Sequence, residues 1–119
     1  MRAALGPDIG WKAEGDAAMK ERHVPSLQII YSIIEQQPAR YFFPTAHEHG
    51  TGLLARVPHA SEVLTDEFTE QMKVEFDPSD HRAHRRREWL DNAFRKREKV
   101  LFVAQGTGRT LAQAAIQFC

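Results

Sequence analysis

The sequence has few of the features that mark membrane, secreted or zinc-binding proteins. Cysteine occurs once, at Cys119, which excludes an intramolecular disulfide framework and a zinc site built from several cysteines. No apolar run approaches the roughly 20 residues that a membrane helix needs. The first residues, MRAALGPDIGWK, have no apolar signal-peptide core, so a cytoplasmic location is expected.

The sequence also has no excess of charge of either sign. Lys and Arg together number 16 and Asp and Glu together number 16, which gives a formal net charge of zero. A protein-wide basic field for nucleic acid or an anionic membrane is therefore absent, and neither partner is expected. A length of 119 residues with 42% apolar content predicts a single globular domain over residues 1–119.

Two apolar segments predict β-strands. The run from Ser26 to Ile34 is almost continuously apolar, which is typical of a strand buried on both faces in a parallel sheet. The segment from Thr51 to Val57 is the second strand. Two parallel strands joined by a helix form a right-handed βαβ unit, so an α/β fold is predicted, with ligands at the carboxyl ends of the strands.

Helices are predicted before and between these strands. Residues 11–22 are rich in helix formers, although Gly15 weakens the helix by about 1 kcal/mol relative to alanine. Between the strands, Pro38 fits the first turn of a helix, and Gly50 fits the left-handed position after its end. Pro44 is expected to break or restart that helix.

The second half of the chain predicts a long loop followed by two helices. In residues 58–81 the apolar residues follow no sustained helical or strand period, which predicts a loop. A loop of that length is commonly functional. Residues 82–105 return to a helical period and end at a glycine-rich turn. Thr110 and Gln113 have the spacing of a capping box and predict the start of a last helix.

Four segments in this order resemble the carboxyl-terminal half of bacterial aldo/keto reductases: GPDIGW, SLQIIYSIIEQ, PARYFFPTAHEHGTGLLARVPHASEVLT and GRTLAQAAIQFC. The resemblance covers nearly the whole chain. It implies a partial (β/α)8 TIM barrel, in which Ala3–Leu5, Ser26–Ile33 and Thr51–Val57 match barrel strands five, six and seven. Strands one to four and strand eight would be absent.

The resemblance also implies a function. Enzymes of the family bind NADPH and reduce aldehydes and ketones, and their catalytic Asp, Tyr, Lys and His lie on the early strands, so none has a counterpart here. The chain is therefore expected to be a fragment that supplies part of the NADP(H)-binding wall and is inactive alone. A small carbonyl compound would be the substrate of the complete enzyme. The fragment is expected to associate with a partner through its open sheet edges.

The implied cofactor residues lie on the two strands and the loop after them. Gln28 matches the glutamine that hydrogen-bonds the nicotinamide carboxamide, and Arg56 stands where the family has an aromatic residue stacked on the nicotinamide ring. The loop that passes the pyrophosphate is matched by Val57, Pro58, His59 and Ser61. Ala4 and Leu5 replace a Ser-Asn pair of the family. Without the resemblance, Gln28 would be interpreted as a buried amide bonded to neighbouring backbone.

Two alternative functions remain open. The first is a non-catalytic nucleotide-binding or interaction half-barrel that a partner completes. The second is a small interaction or nucleic-acid protein that uses the basic helix at residues 82–99. Acidic residues interrupt that helix, at Glu88, Asp91 and Glu98, so a solvated face explains its charges better.

No metal site is predicted. On a helix, His47 and His49 point roughly 200° apart and cannot bind the same ion, and histidines near a helix carboxyl end are electrostatically favourable without a metal. His81 and His84 could share a helix face, yet a zinc site requires further ligands in fixed geometry.

Overall fold

The computed structural model describes residues 11–68, 76–84 and 87–119, and within that part the fold is mixed α/β. It contains four α-helices and one parallel sheet of two strands. The chain divides into two compact units. The first comprises Met1–Tyr31 and Glu35–Arg56, and the second comprises Ser32–Ile34 and Val57–Cys119. The strand expected at Ala3–Leu5 lies outside the described residues.

The sheet of the first unit consists of β1 (Ser26–Ile30) and β2 (Gly52–Arg56). The strands run parallel, in a register that pairs Ser26 with Gly52 and Ile30 with Arg56. The predicted parallel β–α–β arrangement is therefore confirmed. Because side chains alternate along a strand, Leu27 and Ile29 point to one face of the sheet, where both are buried.

Two helices cover that buried face of the sheet. They are α1 (Trp11–Lys20) and α2 (Gln37–His49). Their apolar residues and those of the sheet form one core cluster, made by Met19, Leu27, Ile29, Ala39, Phe42 and Ala46. The helices approach closely at Gly15, where an added Cβ would lie 2.5 Å from Cε1 of Phe42 and closer still to its Cζ. Gly15, which was expected only to weaken the helix, is thus required for the packing of α1 against α2.

Helix α2 begins and ends where the sequence predicts. Pro38 lies in its first turn, and Gly50 follows its last residue with a left-handed φ of 65°. The Thr51 N–H donates to Ala46 O at 2.9 Å, which closes a Schellman-type end. The expected break at Pro44 is wrong, because the helix runs through it. An exposed proline removes one backbone hydrogen bond, and the buried opposite face of the helix compensates for that loss.

The expected extension of β1 to Ile34 is wrong. The strand ends at Ile30, and Ile33 and Ile34 pack against the core cluster of the second unit instead. A continuous apolar run shows that its residues are buried, but it does not show which core buries them. One hydrogen bond continues beyond the strand, from Tyr31 N to Arg56 O at 3.2 Å.

The second unit contains the loop after β2 and two helices. Residues 57–68 form consecutive turns, as predicted for a loop. Helix α3 (Arg87–Val100) is shorter than the predicted 82–105, because 3-10 turns occupy His81–His84 and Leu101–Val103. Helix α4 (Leu111–Phe118) opens with the predicted capping box. One buried core cluster of this unit consists of Ala60, Val63, Leu64, Phe68, Ala93 and Ala115. Over the described residues, no helix is long and apolar enough to cross a membrane.

Candidate functional site

The first candidate site is the face of the sheet opposite the helices. Gln28 pairs in register with Leu54, and Ile30 pairs with Arg56. Since alternate residues share a face, these four side chains lie on the side away from Leu27 and Ile29. A strand rise of about 3.3 Å and a strand spacing of about 4.8 Å place the Cα atoms of Gln28 and Arg56 about 8 Å apart. The structure thus brings these two predicted residues together on one face.

Both polar side chains on this face are half-buried and lack partners among the described residues. The Gln28 amide makes no hydrogen bond with them. The Arg56 guanidinium forms no ion pair or hydrogen bond with them either. Desolvating a charge without a partner is unfavourable, so the Arg56 cation can gain free energy from an anionic or planar ligand. The apolar neighbour Leu54 is 56% exposed and offers the same ligand a hydrophobic contact.

The second candidate site is the loop that follows β2, which belongs to the second unit. Its backbone is left-handed at Val57, Ala60, Ser61 and Glu62, with φ values of 60°, 49°, 57° and 68°. Left-handed geometry is uncommon for any residue except glycine and an outlier for a β-branched residue such as valine. Pro58 adds to the strain, because a residue before proline favours extended backbone. Strain of this kind concentrates at functional sites and persists only where surrounding contacts impose it.

The left-handed turn leaves polar groups available. The amides of Ala60 and Leu64 donate to Val57 O and His59 O, at 2.9 and 3.0 Å. The amides of Ser61 and Glu62, in contrast, donate to no acceptor among the described residues. The Ser61 hydroxyl is likewise unbonded there, on a residue only 9% exposed. Successive free backbone N–H groups attract anions such as phosphate oxygens.

The His59 side chain lies within this turn. Its Nδ1 lies 4.0 Å from Glu62 Oε2, and the His59 side chain is 27% exposed. Its Nε2 is buried and has no hydrogen-bond partner in the part of the chain that the structure describes. A buried imidazole nitrogen without a partner is unfavourable, and a ligand oxygen or hydroxyl would satisfy it. The predicted loop residues Val57, Pro58, His59 and Ser61 therefore form one compact turn.

Two hydrogen bonds join the far end of the loop to α3 and α4. Arg97, on α3, donates from Nη2 to Thr65 O at 3.2 Å, and its side chain is only 11% exposed. Asp66 accepts a 3.0 Å hydrogen bond from the Leu111 N–H at the start of α4. Sequence reasoning missed both residues, because Arg97 resembles the rest of a charged helix and 45 residues separate Asp66 from its partner.

The structure gives no group of three His, Cys, Asp or Glu residues that could hold a metal ion within the described ranges. The side chain of His81 lies outside what the structure describes, so the hypothesis of a His81–His84 site stays untested. Asp77 accepts hydrogen bonds from the hydroxyl and amide of Ser79 at 2.6 and 2.8 Å. These two bonds lower the pKa of the Asp77 carboxyl, the hydroxyl having the larger effect.

Comparisons with protein-family models, with curated proteins and with solved structures gave no match to this chain.

Proposed function

We propose that this chain is the cofactor-side part of a (β/α)8 aldo/keto reductase barrel, and that it binds NADP(H) without catalysing a reaction alone. Four of its segments resemble those of that family. The observation that carries the proposal is the pair Gln28 and Arg56, half-buried on one sheet face without partners among the described residues. In a parallel α/β protein, a ligand is expected at the carboxyl ends of the strands.

The chemistry of the two side chains suits a nicotinamide. The Gln28 amide offers both a donor and an acceptor, which is the complement of a carboxamide. The planar guanidinium of Arg56 can stack on a flat ring and can also bind a phosphate through paired hydrogen bonds. When bound, NADPH would supply the hydride for carbonyl reduction in a complete enzyme. The role of this chain would be to bind and orient the cofactor.

The turn at residues 57–62, which belongs to the second unit, is by itself a candidate phosphate-binding element. The free amides of Ser61 and Glu62 would donate hydrogen bonds to phosphate oxygens, and the Ser61 hydroxyl would add a further donor. The buried Nε2 of His59 would donate to a phosphate oxygen when it carries the proton. No counterpart of the catalytic Asp, Tyr, Lys and His of the family occurs in these 119 residues, so no turnover is expected.

Calorimetric titration with NADPH tests the proposal. Saturable binding is expected, and Arg56→Ala should weaken it by about tenfold, the equivalent of roughly 1.4 kcal/mol. Gln28→Leu should weaken NADPH binding without altering the binding of 2′-phospho-AMP, which has no nicotinamide. Arg95, an exposed arginine on α3, provides the matched control, since Arg95→Ala should leave binding unchanged.

The outcomes separate the proposal from its alternatives. Equal weakening by Arg95→Ala and Arg56→Ala, or no saturable binding, would contradict it. Oxidation of NADPH in the presence of an aldehyde would show that the chain is an active enzyme and would overturn the non-catalytic part. Salt-sensitive binding to DNA or RNA without NADPH binding would favour the nucleic-acid alternative instead.

A further inference from the structure

Two histidine rings lie close together in the first unit, one after the end of α1 and one at the end of α2. The ring centroids of His23 and His49 lie 6.4 Å apart, with the ring planes inclined at 38°. Both residues are exposed. His49 is the last residue of α2, and His23 follows α1 by three positions in a left-handed conformation with φ of 47°. The juxtaposition is a consequence of tertiary structure, since 26 positions separate the residues.

Hydrogen bonds hold the backbone segments that carry the two rings. The Val24 N–H donates to Ala18 O at 3.1 Å, which ties the His23 turn to α1. The Thr51 hydroxyl donates to Val24 O at 3.0 Å, and the Gly52 N–H donates to Pro25 O at 2.9 Å. These bonds join the segment after His23 to the segment after His49. The backbone segments that carry the two histidines are therefore fixed relative to each other.

The separation fits two imidazoles bound to one metal ion. A metal about 2.0–2.1 Å from an imidazole nitrogen lies about 3.2 Å from the ring centroid, so two rings on one metal have centroids roughly 4.5 to 6.4 Å apart. The observed 6.4 Å lies at the upper end, which corresponds to ligands on opposite sides of the ion. Square-planar or tetragonal Cu²⁺ and Ni²⁺ provide that arrangement.

The local electrostatics favour a cation at this position. The carboxyl end of a helix carries a partial negative charge from its unpaired carbonyl groups. His49 lies at the carboxyl end of α2, and His23 lies just beyond the carboxyl end of α1. No third His, Cys, Asp or Glu joins the pair among the described residues, so water would occupy the remaining coordination positions. Two protein ligands are too few for a closed structural zinc centre, which requires four.

We propose that His23 and His49 form a two-imidazole site for a divalent late transition-metal ion, preferentially Cu²⁺. The preference follows from the general order of divalent affinities, in which Cu²⁺ exceeds Ni²⁺ and Zn²⁺. The site lies beyond the amino ends of β1 and β2, whereas the proposed cofactor residue Arg56 is at the carboxyl end of β2. Metal binding is therefore independent of the proposed NADP(H) binding.

Titration of the full chain with Cu²⁺ at about pH 7.5 tests the site. One tight Cu²⁺ per chain is expected, with an electron paramagnetic resonance spectrum that shows two nitrogen ligands. His23→Ala and His49→Ala should each weaken the binding of this Cu²⁺ ion by at least about tenfold. The double variant should be no weaker than either single variant, because both remove the same chelate.

His47→Ala is the matched control, because His47 is an exposed histidine of the same helix, two positions earlier. It should leave the tight step unchanged. Equal weakening by His47→Ala and His49→Ala would overturn the proposal, as would a tight step that survives in both His23→Ala and His49→Ala. Circular dichroism spectra of the variants show whether any loss of binding reflects misfolding, and a metal-dependent rise in melting temperature gives a second measure.

Discussion

Replacing Gly15 with alanine tests the packing of the first unit. In an exposed helix this substitution stabilises by about 1 kcal/mol, because alanine has the higher helix propensity. Here the new methyl group would meet the ring of Phe42, whose Cε1 would lie 2.5 Å away. Phe42 is 0% exposed and packs within the core, so its ring has little room to move.

The magnitude follows from two opposing effects. Overpacking a core costs about 1–3 kcal/mol, and contacts this short with three ring atoms place the cost near the upper value. Subtracting about 1 kcal/mol of propensity leaves Gly15→Ala destabilising by about 2 kcal/mol. Replacing Phe42 with the smaller leucine should make room for the methyl group, so Gly15→Ala should cost less in a Phe42→Leu background.

Urea denaturation at one fixed protein concentration, followed by circular dichroism, measures the effect. Ala13→Gly is the matched control on the exposed side of the same helix, and it should destabilise by about 1 kcal/mol through propensity alone. If Gly15→Ala instead stabilises the chain by about 1 kcal/mol, propensity governs the position and the close approach of α1 and α2 is wrong.

Three further perturbations have defined outcomes. The Tyr41 hydroxyl donates a hydrogen bond to Asp16, which raises the tyrosine pKa above 10.0. The bond therefore stabilises the fold below pH 10.0, and this stabilisation is lost as the pH rises through the raised pKa. Asp16→Asn should lower the Tyr41 pKa toward 10.0 in an NMR titration. Thr110→Ala removes the acceptor for Gln113 N–H and should cost about 1 kcal/mol in urea denaturation, whereas no change would contradict the capping box. Gly50→Ala introduces a Cβ into open space at a φ of 65°, so backbone strain alone should destabilise by about 1–2 kcal/mol, and an unchanged urea midpoint would contradict the left-handed end of α2.

Local signals in the sequence predicted much of the fold correctly. Gly50 and the pair Thr110 and Gln113 mark helix ends through rules that involve only neighbouring residues, and the structure confirms both. The apolar runs predicted the two strands and their parallel pairing. Pro44 was misjudged, because propensity does not include the buried face that keeps α2 continuous around it.

The candidate sites depend on information that local patterns lack. The left-handed backbone at residues 60–62 occurs without glycine, so turn chemistry gives no signal for it. The other features are tertiary contacts between residues distant in sequence. They are the hydrogen bonds of Arg97 and Asp66, the contact of Gly15 with Phe42, and the neighbouring rings of His23 and His49. The placement of Gln28 and Arg56 on one face, in contrast, follows from strand alternation once the register is known.

We propose that the face carrying Gln28 and Arg56 contacts a nicotinamide ring. Saturation-transfer difference NMR of the full chain with NADPH tests it most directly, because the method shows which ligand protons lie against the protein. We expect strong transfer to the nicotinamide protons and its loss in Gln28→Leu and Arg56→Ala. Transfer confined to the adenine protons, or equal transfer in the wild type and both variants, would contradict it.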